Sequence, residues 1–269
     1  MLKSLSIVIL SIVIILLGLI ILDYYYPLNH NTKESKEKFR QICFENKNKF
    51  DKELKNVKIP KQSEYETVFI EFRKLPHVEF IIKNAIVKLG NLFSHTIVCG
   101  KDNYEFMLNI VSKISHNIRI IKINVGNMSV SDYNNLLLTY SFWEMFEGDK
   151  LLIYQEDSMI FKKNIQDFLK YDYIGAPILY NFKFINGNGG LSLRNKKMIL
   201  NILEKEKFIN KKIPEDLFFS KKGKEMGYNI APVKVCSHFS VENWRKKNTF
   251  GGHQFWNRDR NWEKKMQKI

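Results

Sequence analysis

Residues 150–158 read KLLIYQEDS, a short apolar run that empties directly into Gln155-Glu156-Asp157-Ser158. Its length and punctuation suit a buried strand rather than a helix. Working back toward the N-terminus, the pattern recurs at Ile118–Ile123, at His95–Cys99 (HTIVC) and at Thr67–Phe72 (TVFIEF). Helical stretches separate these runs. One extends from Pro76, a residue suited to a first helical turn, to about Leu89. A second runs from Asp102, a candidate N-cap, to Ile114, and a third is the amphipathic Ser131–Phe146. Strand and helix alternating four times predict an α/β fold with a mostly parallel central sheet flanked by helices. Ligands in such sheets bind beyond the carboxyl ends of the strands, so the residues just after Tyr154 matter most.

Gln155, Glu156 and Asp157 therefore stand where a ligand is expected. A hard divalent cation takes one or two carboxylates and completes its shell with substrate phosphates; an acidic turn explains the same residues structurally. Downstream, Gly187-Asn188-Gly189-Gly190 precedes the apolar run Leu191-Ser192-Leu193-Arg194. Gly189 and Gly190 admit close approach of a ligand to the backbone and offer N–H donors, or else they form an ordinary tight turn. Pro214-Glu215-Asp216 opens a helix with two carboxylates in its first turn, where the macrodipole favours the ionised form that a general base needs. Capping accounts for them equally well. Phe250-Gly251-Gly252-His253 sets a histidine behind two glycines, either structural or a metal ligand. No glycine-rich dinucleotide or phosphate-loop motif comes after any strand, which disfavours NAD-dependent and P-loop chemistry.

The chain has 269 residues, 45% hydrophobic and 26% charged, which excludes a mostly disordered polypeptide. Its formal net charge of +15 suits nucleic acid, anionic lipid or phosphorylated substrates. The lysines are spread along the chain rather than clustered with aromatics, so no nucleic-acid partner is expected. Cys43, Cys99 and Cys236 are distant and odd in number, supporting neither a disulfide framework nor a zinc ribbon. After a short tail (residues 1–4), Leu5–Leu22 is almost unbroken Ile, Leu and Val, and about 18 residues of helix reach about 27 Å. The run leads into Asp23-Tyr24-Tyr25-Tyr26-Pro27 without a small-residue cleavage site. It predicts an N-terminal transmembrane helix and single-pass localisation in a lipid bilayer, with residues 23–62 as a partly helical stem.

Six segments together resemble the DUF5672 family, glycosyltransferase-like proteins related to GT-A enzymes. They are Ile70–Ile86 (IEFRKLPHVEFIIKNAI), Leu151–Ser158 (LLIYQEDS), Asp172–Pro177 (DYIGAP), Gly187–Arg194 (GNGGLSLR), Pro214–Ser220 (PEDLFFS) and Phe250–Trp256 (FGGHQFW). The resemblance implies a GT-A-like catalytic domain over residues 63–258, with 259–269 as a basic tail. It implies a nucleotide-sugar donor, a glycan or glycoprotein acceptor and a divalent cation, Mn²⁺ or Mg²⁺. By the same analogy Asp157 and His253 hold the metal, while Arg73, Gln155, Glu156, Gly189 and Gly190 border the donor. Asp216, with Glu215 as the alternative, is the base of an inverting transfer. Where the family pattern has tryptophan after Gly-Ala-Pro, this chain has Ile178, a departure on the acceptor side of the pocket. The competing readings are a catalytically inactive binding protein on the same scaffold and a sugar nucleotidyltransferase. The latter normally carries a glycine-rich loop where this chain has Arg73-Lys74-Leu75-Pro76.

Overall fold

The β-branched runs pair into a sheet whose alternating side chains are buried on both faces, the arrangement their near-continuous hydrophobicity predicts. The structure, a computed structural model, describes residues 9–18, 32–180, 183–206, 213–242, 248–257, 259 and 261–269. In chain order its elements begin with α1 (9–18), α2 (Thr32–Glu45), α3 (Asp51–Leu54), β1 (Tyr65–Ile70), α4 (Val78–Leu89) and β2 (Phe93–Gly100). Next come α5 (Tyr104–Ser112), β3 (Arg119–Ile123), α6 (Val130–Leu137), α7 (Tyr140–Glu144), β4 (Lys150–Tyr154) and β5 (Ser158–Ile160). The second half has β6 (Tyr173–Ile174), β7 (Pro177–Tyr180), β8 (Lys183–Asn186), β9 (Leu191–Asn195), α8 (Lys196–Lys205) and α9 (Glu215–Glu225). It ends with α10 (Val233–Phe239), β10 (Ser240–Val241), β11 (Gly251–His253) and α11 (Trp262–Gln267).

The central sheet has the order β3-β2-β1-β4-β9-β6. The first four strands are mutually parallel, and β9 runs antiparallel to β4 and β6. Alternation along each strand divides the core in two. Phe69, Ile97, Leu152 and Tyr154 face α2, α4 and α5. Val68, Ile70, Val98, Leu151 and Ile153 face α6–α9, with Leu137, Trp143, Ile199 and Phe219 packed against them. The chain builds outward from β1 through β2 to β3, then crosses to β4 on the other side. The gap beyond the ends of β1 and β4 is thus the topological switch point, where open sheets of this kind bind ligands. A second small sheet, β10-β11-β5, brings the late chain to this edge, because β11 pairs antiparallel with β5 and sets His253 opposite Ser158.

The α/β architecture and the mostly parallel sheet match the expectation. Differences arise where local pattern has no access to tertiary context. The amphipathic stretch Ser131–Phe146 is two helices, α6 and α7, broken at Leu138-Thr139, and Ser129 caps the first by accepting from Asp132 N. The segment read as a partly helical stem packs on the domain: Phe39 and Cys43 of α2 are fully buried in the core. The Phe39 ring lies 4.7 Å from that of Trp256 and 6.4 Å from that of Trp262. The basic tail likewise contains α11, whose Trp262 and Met266 are buried in the same cluster. Segments near both ends of the chain therefore help complete the core on one face of the sheet.

The membrane anchor expected over residues 5–22 is overturned, and with it single-pass localisation and the bilayer as a partner. Among the described residues no helix is long and apolar enough to cross a membrane. Of that stretch, residues 9–18 are described, as the helix α1. Residues 5–8 and 19–22 lie outside the described residues, as does the tail 1–4.

Candidate active site

The carboxyl end of β1 supplies the first wall. Glu71 folds back on the turn beyond it, accepting hydrogen bonds from Phe72 N at 2.9 Å and Arg73 N at 2.8 Å. The same carboxylate takes the Arg73 guanidinium at 2.8 Å (Nε to Oε1) and 2.7 Å (Nη2 to Oε2). Arg73 is thereby held at the mouth of the switch point with its side chain still 42% exposed. The end of β2 is tied to this wall by Asn103, which donates to Glu71 O at 2.8 Å and accepts from Gly100 N at 2.8 Å.

The end of β4 supplies the second wall. Glu156, 2% exposed, accepts from Arg40 Nε at 3.2 Å and Nη2 at 2.7 Å, and lies 3.3 Å from Arg73 Nη2 and 2.9 Å from His77 Nε2. Lys36 Nζ sits 2.9 Å from Glu156 Oε1 and 3.1 Å from Asp157 Oδ2. Asp157 Oδ2 also accepts from Gln254 Nε2 at 3.0 Å, and its Oδ1 is 3.2 Å from His253 Nε2. Gln254 has a left-handed φ of +45° and donates its backbone N–H to Asp157 O at 3.0 Å. This unfavourable backbone conformation of a non-glycine residue falls at the point where its side chain reaches the carboxylate. Burial alone would raise the pKa of Asp157, but His253 and Lys36 hold it well below the usual carboxylate range. Burial likewise opposes the His253 imidazolium, and the Asp157 and Glu242 carboxylates outweigh it, raising the pKa to about 10.

Asp157 and His253 are a donor set of the right kind for the expected divalent cation. In this arrangement they do not fit one. The face of Asp157 that would coordinate it carries the Lys36 ammonium, which spans both carboxylates, and the Gln254 amide. Among the described residues no group of three His, Cys, Asp or Glu side chains converges to hold a metal ion.

The third wall is the loop 187–190, which enters β9 beside Tyr154 because Leu191 pairs with it. Gly190 lies against His253, and a Cβ there would collide with the imidazole ring. The N–H groups expected to meet a ligand are used internally. Gly190 N donates to Asn188 Oδ1 at 3.0 Å, and Gly189 N to Asp216 Oδ2 at 2.9 Å. Gly189 and Gly190 thus shape the site through their missing side chains rather than as hydrogen-bond donors to a ligand.

Asp216 and Glu215, adjacent at the start of α9, have opposite surroundings. Glu215 is gripped by the fully buried Arg194, Nη1 to Oε2 at 2.5 Å and Nη2 to Oε1 at 3.0 Å. Both of its oxygens are engaged by one buried guanidinium, so it stands as an ion-pair partner. Asp216 is partly exposed and accepts from Gly189 N and, at 2.7 Å, from Leu217 N. Burial first, and the neighbouring Glu215 charge second, push its pKa up to about 7, despite the opposing pull of Arg194. Glu156 is buried under Arg40, Arg73, His77 and Lys36, which take up its carboxylate. The residues missed from sequence are Lys36 and Arg40 on α2, His77 ahead of α4, Glu242 and Gln254. Lys36 and Arg40 had a readable signal, an i,i+4 basic pair beside the buried Phe39 and Cys43 positions of an amphipathic helix.

A family model described as "Protein of unknown function (DUF5672)" matches residues 116–253. No sequence relative is found among curated proteins. Three solved structures are similar at 12% identity. One is 4-diphosphocytidyl-2C-methyl-D-erythritol synthase from Anaerococcus prevotii, with a TM-score of 0.41 over 63% of this chain and 85% of that one. Another is the mannosyltransferase PcManGT from Pyrobaculum calidifontis in complex with GDP-Man and Mn²⁺, with a TM-score of 0.46 over 72% of this chain and 63% of that one. The third is the glycosyltransferase GlyE from Streptococcus pneumoniae, with a TM-score of 0.43 over 64% of this chain and 46% of that one. The chain thus spans less than two thirds of the length of the last two.

Proposed function

The chain belongs to the DUF5672 family, and from that membership and the geometry of the switch point we propose that it is a glycosyltransferase. It moves a sugar from a nucleotide-sugar donor to a hydroxyl of a glycan or glycoprotein acceptor, with inversion at the anomeric carbon. The observation that carries this reading is the carboxylate of Asp216. It is partly exposed, has a pKa near neutrality and is fastened through Gly189 to the loop that also packs on His253 beside Asp157.

In the proposed reaction the donor diphosphate lies beyond β1 and β4, where the exposed Arg73 guanidinium meets it. The sugar extends along the loop 187–190 toward Asp216. The Asp216 carboxylate accepts the proton of the acceptor hydroxyl as that oxygen bonds to the anomeric carbon. The bond from carbon to the diphosphate oxygen breaks, and its electron pair leaves with the nucleoside diphosphate. A single displacement of this kind inverts configuration. With two oxygens that each receive one backbone N–H, Asp216 retains lone pairs for the incoming proton.

The raised pKa gives this reading a pH signature. Below about 7 Asp216 is protonated and cannot act as base, whereas above that value it is ionised. Nucleoside diphosphate release from a nucleotide sugar, monitored in the presence of acceptor, is expected to have a kcat/KM that rises with a log–log slope of about one toward neutrality and levels off above it. A profile that is flat through neutrality would remove Asp216 from the base role.

A further inference from the structure

Helix α2, part of the stem by its sequence, forms one wall of the site. Its Phe39 and Cys43 are fully buried in the core, and Lys36 and Arg40, spaced like them by one turn, face the end of β4. The Lys36 ammonium bridges Glu156 and Asp157 at 2.9 and 3.1 Å, which is what a bound cation shared by two carboxylates does.

We propose that Lys36, in place of a divalent cation, is the cation of the donor-diphosphate site, acting there with Arg40 and Arg73. This inference rests on the nucleotide-sugar reading and assigns the charge that meets the leaving group. Each carboxylate at the two strand ends already faces a cation. Glu71, Glu156 and Asp157 are opposed by Lys36, Arg40 and Arg73, all within one network of contacts. A divalent ion added to Asp157 would sit close to the Lys36 ammonium, and like charges about 4 Å apart repel strongly unless fully hydrated. An ammonium has three N–H donors. Lys36 directs two at Glu156 and Asp157, and with its side chain 28% exposed it can turn the third toward a phosphate oxygen. The two carboxylates thus serve to hold an organic cation upright at the mouth of the cleft.

The test is Mn²⁺ binding by the full chain, measured by electron paramagnetic resonance, alongside calorimetric titration of UDP and GDP in the presence of a chelator. Wild type is expected to show no saturable Mn²⁺ site. Lys36→Met is expected to gain one that is at least about tenfold tighter than any residual uptake by wild type. Adding Asp157→Asn should abolish the gain, and Lys36→Arg, which keeps the charge, should behave as wild type. Lys36→Gln is read in the same way should the methionine variant not fold. Chelator-resistant binding of UDP or GDP to wild type, weakened about tenfold in Lys36→Met, supports the diphosphate assignment. Equal Mn²⁺ affinity in wild type and Lys36→Met, or no gain in either Lys36 variant, overturns the proposal. If the Mn²⁺ pattern holds but neither nucleotide binds wild type, the nucleotide-sugar reading fails and takes the diphosphate assignment with it, while Lys36 keeps the place of the cation on the two carboxylates.

Discussion

Asp216→Asn is expected to lower sugar transfer by about 10²–10⁴-fold, the usual contribution of a positioned general base, while leaving the fold intact. Asparagine has the same outline, and its amide oxygen can still accept from Gly189 N, which Asp216 Oδ2 does at 2.9 Å. Proton acceptance is lost, and with one oxygen instead of two the amide gives up the second backbone hydrogen bond, from Leu217 N, which Asp216 Oδ1 accepts at 2.7 Å. The effect on stability has a definite sign. The Asp216 pKa is raised in the folded protein to about 7 from an unfolded value of about 3.9, so folding binds its proton more tightly. The stability this group contributes is fully present below the unfolded value and is lost as pH rises through about 7. The asparagine variant carries no charge to bury, so its melting temperature should shift in its favour relative to wild type as pH rises through about 7. Wild-type rates from a folded Asp216→Asn protein would exclude this residue as the base.

The second large effect is on stability. Glu215→Ala is expected to cost about 3–5 kcal/mol, measured by urea unfolding, because it strands a buried guanidinium. Arg194 has no exposed side-chain surface. Among the described residues its other partners are Ser192 Oγ, to which its Nε donates at 2.9 Å, and the faces of Trp143 and Tyr173 at 5.5 and 5.3 Å. Ser192 in turn donates to Gly189 O at 3.1 Å, so the damage reaches the loop that steadies Asp216. Replacing both members, Arg194→Met with Glu215→Leu, removes the stranded charge and should recover much of the loss. A cost below about 1 kcal/mol for Glu215→Ala would mean that Arg194 finds another counter-charge or water.

What is legible in the sequence depends on the range of the interactions involved. β4 is legible to the residue, because Lys150–Tyr154 is a strand by composition and is bounded by polar residues on both sides. The start of α9 is legible too, since Pro214 and two first-turn carboxylates mark an N-terminus locally. The roles of those carboxylates are not. Only the arrival of Arg194 from β9 separates Glu215, an ion-pair partner, from Asp216, a partly exposed group with a neutral pKa. Periodicity reveals that the segment around Phe39 and Cys43 is an amphipathic helix but not what its apolar face meets, so α2 reads as a stem. The same blindness hides Lys36 and Arg40, whose partners lie more than a hundred positions away at Glu156 and Asp157. The glycines at 189 and 190 read either as donors to a ligand or as a tight turn, and Asp216 and Asn188 occupy those N–H groups.

The central claim is that the cleft beyond β1 and β4 receives a nucleotide sugar, and equilibrium binding tests it most directly. Thermal unfolding of the full chain with a panel of uridine, guanosine and cytidine diphosphate sugars is the measurement. The account predicts that at least one donor at about 100 times its dissociation constant stabilises the protein by about 2.7 kcal/mol, and that this shift shrinks in Arg73→Ala. No shift with any donor across the panel, or a shift indifferent to Arg73, would contradict it.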